Sequence, residues 1–275
     1  YDLGTQYIIS EIGRTRLTIS ELGECCQYAK SEKLEIVITP FDLDALREID
    51  NLMDDISALK IASCDLTNFE LIGSCIKYDK PIIVSTGMSY EHEIIATSQL
   101  LLSKMCEHAF LHCCSTYPAP SEDINLEYLD RLINLTDTVI GYSSHDGNTL
   151  IPALAIAKGA AIIEFHVTKS RDQKGTDHKA SIPVNELKDL KEMCNTSYIS
   201  RGTNKPRKPS QGELANKISL GKSYALRLDK KSGESIQAED LFLVSPGIGF
   251  GPNEKDSLVG KHLIRDKKAR SILIK

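Results

Sequence analysis

The chain has 275 residues, enough for one large domain or one large and one small, and its 41% apolar content can fill a sizeable core. A formal net charge of −5, from 33 Lys and Arg against 38 Asp and Glu, argues against a nucleic-acid partner. No apolar run approaches the ~20 residues of a membrane span and no signal peptide opens the chain. The eight Cys lack Cys-x-x-Cys spacing, so reduced thiols, a cytoplasmic setting and no membrane partner are expected.

Apolar runs of strand length recur at 34–39, 58–62, 81–86, 109–113, 138–142 and 161–166. Amphipathic segments fill the gaps at 20–30, 43–52, 69–78, 90–102, 126–135 and 150–158, with helix starts expected at Ser20 and Ser121. Near-continuous apolar strands imply burial on both faces, as in a parallel sheet. Six β/α units fit a (β/α)8 barrel of TIM type that begins two units late, or a doubly wound sheet. The character changes after Met193. Residues 1–200 read as the barrel domain, 201–213, rich in Lys, Pro and Gly, as a linker, and 214–275 as a small β-rich domain.

Polar residues close the strands, where a parallel α/β barrel keeps its active site. Lys60-Ile61-Ala62-Ser63 closes the second run, and its charged member is Lys60. It is costly to bury unless it meets an anion or a carboxylate, and the plain alternative is an ion pair with Asp65 or a neighbouring helix. Ser85-Thr86-Gly87 ends the third and can bind phosphate or simply cap a turn. Tyr117 precedes Pro118 and so is held extended, able to point a hydroxyl across a site or to serve the loop alone. Cys113 and Cys114 read as core thiols. His145 and His166 each end a run. A single His there is usually a satisfied core residue, but two on successive strand ends can share one metal ion. Asp177 lies in a Gly-containing loop, as a solvated turn or a partner for sugar hydroxyls.

These segments in this order resemble the N-acylneuraminate (sialic acid) synthase family. The resemblance rests on Thr39-Pro40-Phe41-Asp42, Lys60-Ile61-Ala62-Ser63-Cys64-Asp65, Lys80 to Met88, His112 to Pro120, Gly141-Tyr142-Ser143-Ser144-His145, Gly159 to His166 and Asp177-His178. The tail, from Lys231-Ser232-Gly233-Glu234 to Pro246-Gly247-Ile248-Gly249 and Leu258-Val259-Gly260-Lys261, is similar to the antifreeze-like (SAF, β-clip) domain of the same enzymes.

The resemblance implies an N-terminally incomplete TIM barrel followed by a SAF domain. It implies a transferase that condenses phosphoenolpyruvate with the open-chain aldehyde of an N-acylmannosamine-like sugar, forming a nonulosonic acid and phosphate. A divalent metal, manganese before magnesium or cobalt, is implied on His145 and His166. Lys60, Ser63, Ser85 and Ser143 match phosphoenolpyruvate contacts with Ser115 near them, Tyr117 and Asp177 match sugar contacts, and Asp65 matches an acidic position beside the reacting centre. A domain-swapped homodimer is implied as well.

Three departures stand out. The chain lacks the family's first two strand motifs, and Glu11-Ile12-Gly13 reads as a chance echo of one. Ser144 stands where Asp is usual, and Ser245 where the family has an Arg that reaches the partner's sugar. A second class of function is therefore kept beside the synthase: a non-catalytic relative that binds sugar or a partner through a degenerate barrel.

Overall fold

The computed structural model describes residues 9–10 and 12–275; Glu11, the first residue of the echo motif, lies outside the described residues. The chain divides into two compact units, Tyr1–Gly202 and Thr203–Lys275.

In the first unit six strands form one parallel sheet in sequential order: β1 (Val37–Ile38), β2 (Ala58–Ile61), β3 (Ile82–Ser85), β4 (His108–Cys113), β5 (Val139–Ser144) and β6 (Ile162–Phe165). This is a parallel half-barrel. Helices fill the crossovers: α1 (Ile19–Ser31) before β1, then α2 (Leu43–Glu48), α3 (Phe69–Ile76), α4 (Glu91–Ser103), the one-turn α5 (Ser121–Ile124), α6 (Tyr128–Thr136) and α7 (Leu150–Lys158). A short parallel pair, β7 (Val167–Thr168) with β8 (Ile182–Pro183), follows, and then α8 (Leu187–Arg201).

Local chemistry sets the boundaries. The N-cap of α1 is Thr18, two residues before Ser20, because Thr18 and Glu21 form a reciprocal capping box. Asp42, the end of the Thr-Pro-Phe-Asp segment, accepts from Ala45 N and caps α2. That helix stops at Glu48 and tightens into a 3-10 turn, Asp50–Asp55, so the segment expected as one helix is two. Gly159, at φ +119°, closes α7 in the left-handed conformation that glycine tolerates.

The sheet register sorts side chains by face, since residues two apart on a strand share one and paired residues match. Leu59, Ile61, Ile82, Val84, Phe110, Ile140 and Tyr142 turn outward and are buried in one core with Leu71, Ile94, Leu101, Leu129 and Ala155 of the surrounding helices. Burying each such side chain contributes about 1.5–3 kcal/mol. The alternate residues, Lys60, Ser85, Cys113, Ser143 and Glu164, turn inward. Cys113, Ser143 and Glu164 form one register row across β4, β5 and β6.

In the second unit α9 (Gln211–Leu220) starts at a Ser210–Glu213 capping box, so the last residues of the expected 201–213 linker are helical. Antiparallel β9 (Ser223–Leu226) and β10 (Leu241–Val244) follow. Isolated bridges Lys230–Lys267 and Ser235–His262 close a core of Tyr224, Leu226, Ile236, Leu241, Leu258, Leu263 and Leu273.

Candidate active site

The inward row and the loops beyond it bring most of the expected residues together. Lys60 Nζ lies 3.2 Å from Glu164 Oε1 across the inside of the half-barrel, with only 15% of the lysine side chain exposed. The cation's partner is therefore neither Asp65 nor a helix residue. Glu164 is the residue that sequence reasoning passed over. It alternates with His166 on the same strand, which is the signal that could have found it. Its second oxygen is buried without a hydrogen-bond partner, as is Ser85 Oγ. Two buried orphan acceptor or donor atoms on one inward face mark a site built to meet something else.

Beside Lys60 lies a cluster of small polar groups. Ser63 Oγ is 3.2 Å from Cys113 Sγ, which is 4.0 Å from Ser115 Oγ. Gly87 forms the floor of this cluster: a Cβ there would sit 2.0 Å from Ser115 Oγ, 2.8 Å from Cys113 Sγ and 2.9 Å from Ser63 Oγ. Burial pushes the Cys113 thiol up, against opposing hydrogen bonds from Ser63, Gly87 N–H and Ser115 and the charge of Lys60. A thiol held protonated in this way is a donor and not a nucleophile. Hydroxyls, a backbone N–H and a lysine around a residue without a side chain suit an anion.

The two histidines meet at the mouth, their ring centroids 5.4 Å apart and nearly perpendicular. His145 Nδ1 is 2.9 Å from the carbonyl of Cys114. A carbonyl only accepts, so Nδ1 carries the proton and Nε2 keeps its lone pair. Nε2 faces Ser143 Oγ at 3.3 Å and the Tyr117 hydroxyl at 3.4 Å. Burial lowers the His145 pKa, with the neighbouring His166 adding to it, which keeps the ring neutral near pH 7. Burial, with the nearby charges of Asp177 and Glu164 among others, pushes the Tyr117 hydroxyl up to about 12, so it stays a donor. His166 Nδ1 lies 3.5 Å from Asp177 Oδ2.

This donor set fits a divalent ion. One imidazole has its second nitrogen fixed by a carbonyl and the other has a carboxylate beside it, the usual outer support of metal-binding histidines. Rings this close let one nitrogen from each reach a shared ion at about 2 Å. Among the described residues no group of three or more His, Cys, Asp or Glu is arranged to hold a metal. A cavity of about 460 Å³ opens beside them, lined by Arg14, His166, Gly175, Thr176, Asp177 and His178 among others.

Two of the expected features have partners of their own. Asp65 is in the 3-10 turn after β2, and its carboxylate accepts from Asn68 Nδ2 at 3.0 Å. Ser144 faces outward, away from the histidines: it and Tyr142 each donate to Asp146 Oδ2 at 2.9 Å. The Ser in place of Asp therefore alters the support of the turn after β5 and not the inward face. In the second unit, Ser245 Oγ receives Lys222 Nζ at 2.9 Å and donates to the Leu220 carbonyl.

A sequence model of the NeuB family matches residues 3–206. The chain belongs to the NeuB family. It is 32% identical to the N,N'-diacetyllegionaminic acid synthase of Legionella pneumophila, over 90% of this chain and 70% of the relative. It is 30% identical to the pseudaminic acid synthase of Campylobacter jejuni, over 87% of this chain and 69% of the relative. Among solved structures it resembles the N-acetylneuraminic acid (sialic acid) synthetase of Leptospira borgpetersenii, with a TM-score of 0.69 at 29% identity over 73% of this chain and 70% of that one. The match to the family model spans the segments that carry Lys60, Ser85, His145 and His166. Among the described residues no helix is long and apolar enough to cross a membrane.

Proposed function

We propose that the chain is a nonulosonic acid synthase that condenses phosphoenolpyruvate with the open-chain aldehyde of an N-acylated amino sugar. The observation that carries this reading is the inward row of Cys113, Ser143 and Glu164, with Lys60 facing Glu164 across the interior, beside the paired His145 and His166. An enol phosphate needs cations and donors, and Lys60, Ser63, Ser85, Ser115 and Ser143 with the Gly87 N–H would supply them. The aldehyde end belongs at the mouth, between Tyr117 and Asp177. The methylene carbon of the enol phosphate adds to the aldehyde carbon, water adds at the carbon bearing the phosphate, and phosphate leaves, giving a 2-keto acid. Holding both reactants in one orientation supplies much of the acceleration.

His145 Nε2 and a nitrogen of His166 would hold a divalent ion, manganese in the first instance and magnesium or cobalt otherwise, which when bound polarises the aldehyde oxygen as a Lewis acid. Asp65, two residues beyond Ser63 in the same 3-10 turn, would take the acidic position beside the reacting centre. In the same reading the second unit is a SAF domain and the protein a domain-swapped homodimer, with the neighbourhood of Ser245 and Lys222 presented to the partner's sugar. A cytoplasmic setting belongs with this chemistry.

The test is phosphate release, with mass spectrometry of the product, from phosphoenolpyruvate, Mn²⁺ and a panel of N-acetylmannosamine, its 6-phosphate and diacetamido-deoxyhexoses. One sugar should give a product heavier by the pyruvyl unit, and His145→Ala should abolish it without unfolding the chain. No phosphate release with any of them contradicts the proposal.

A further inference from the structure

A half-buried arginine outside the inward row ties the two loops of the mouth together. Arg171 Nη1 and Nη2 donate to the two carboxylate oxygens of Glu186 at 2.8 and 2.9 Å. Nη2 also donates to the Gly147 carbonyl at 2.6 Å, and Nε to the Ser181 carbonyl at 3.2 Å. One guanidinium thus joins three stretches of chain. Gly147 is two residues beyond His145. Ser181 Oγ in turn donates to the carbonyl of Asp177 at 2.7 Å, and Ala180 N to the same carbonyl at 3.0 Å. The loops also press directly on each other: at Gly147, φ +67°, a Cβ would lie 2.7 Å from the Lys179 carbonyl. The position of Asp177 relative to His145 is therefore set largely through Arg171.

We infer that Arg171, held by Glu186, is a positioning residue for the acceptor side of the site. It fixes the Asp177 loop over His166 and the turn that ends in Gly147, and leaves the Lys60 side untouched. The inference rests on the proposed synthase reading for what is positioned. Lysine cannot take its place: an ammonium has no planar fork with which to meet a carboxylate and two carbonyls in one plane.

The experiment compares wild type, Arg171→Lys and Glu186→Gln by hydrogen exchange and steady-state kinetics. Exchange of peptides covering 172–181 and 145–149 should speed up at least tenfold in both variants, while peptides of β3 and β4 stay unchanged. The KM for the acceptor should rise at least tenfold with the KM for phosphoenolpyruvate within twofold. Unchanged exchange, faster exchange with neither KM moved, or equal rises in both KM values overturns the inference. If the wild type turns over no sugar, the proposed reaction falls, and the exchange comparison alone still decides whether Arg171 couples the two loops.

Discussion

The two faces of the half-barrel sheet are made by alternate residues of the same strands. The outward residues Leu59, Val84, Phe110 and Tyr142 meet helices and are almost wholly buried. On the inward face Lys60 meets Glu164, Cys113 meets Ser63 and Ser115, Ser143 meets His145, and Ser85 Oγ and one Glu164 oxygen have no hydrogen-bond partner. The outward face gains stability from apolar contact. The inward face bears the cost of confined polar groups, which a bound ligand can offset. A substitution should therefore act on stability or on ligand binding according to the parity of its position, even between neighbours in sequence.

The largest effect is expected on the outward face. Phe110→Ala should lower unfolding free energy by about 3–5 kcal/mol in urea denaturation. Binding of phosphoenolpyruvate by the fraction still folded should be unchanged. On the inward side, Gly87→Ala should reduce phosphoenolpyruvate affinity at least tenfold, read by calorimetry. The added methyl would occupy the space shared by Ser115, Cys113 and Ser63. Retained affinity in that variant would place the anion elsewhere.

Two adjacent serines sharpen the contrast. Ser143→Ala, on the inward face, should raise the KM for phosphoenolpyruvate severalfold with little change in stability. Ser144→Ala, on the outward face, should leave that KM alone and cost about 1.5 kcal/mol, because Asp146 loses a buried donor. A KM effect at Ser144 larger than at Ser143 would overturn the assignment of faces.

The smallest effect concerns pH. Hydrogen bonds from Arg171 hold the Glu186 carboxyl below its ordinary value of 4.5. Its folded pKa lies below the unfolded one, so the stabilisation is fully present above pH 4.5 and is lost as pH falls through the lowered folded value. Exchange of residues 172–181, corrected for the intrinsic rate, should accelerate in that acid window in the wild type. In Glu186→Gln it should be fast throughout. An acid acceleration of equal size in Glu186→Gln would assign the effect to another group.

Much of this was legible in the sequence. Strands buried on both faces read as continuous apolar runs, so all six could be placed, and the polar residue closing each marked the mouth. Facing was harder to read, because Ile83, Leu111 and Ile162 are inward yet apolar and mask the alternation. Counting back by twos from His145 and His166 recovers Ser143 and Glu164. That count also turns Ser144 outward, so the substitution that raised doubt about the metal position does not touch the inward face. The partner of Lys60 was not legible. It lies on β6, four strands away in sequence, and only closure of the sheet brings the two charges together. The start of α1 was misplaced because Thr18 and Glu21 outcompete Ser20 as a cap.

The inward face as the ligand-binding face is tested most directly by calorimetry of phosphoenolpyruvate binding to Lys60→Met, with thermal denaturation of the same samples. The dissociation constant should rise at least tenfold, and the melting temperature should fall, because removing the lysine leaves the Glu164 carboxylate in the interior without its cation. Unchanged phosphoenolpyruvate affinity in a folded Lys60→Met protein would contradict it.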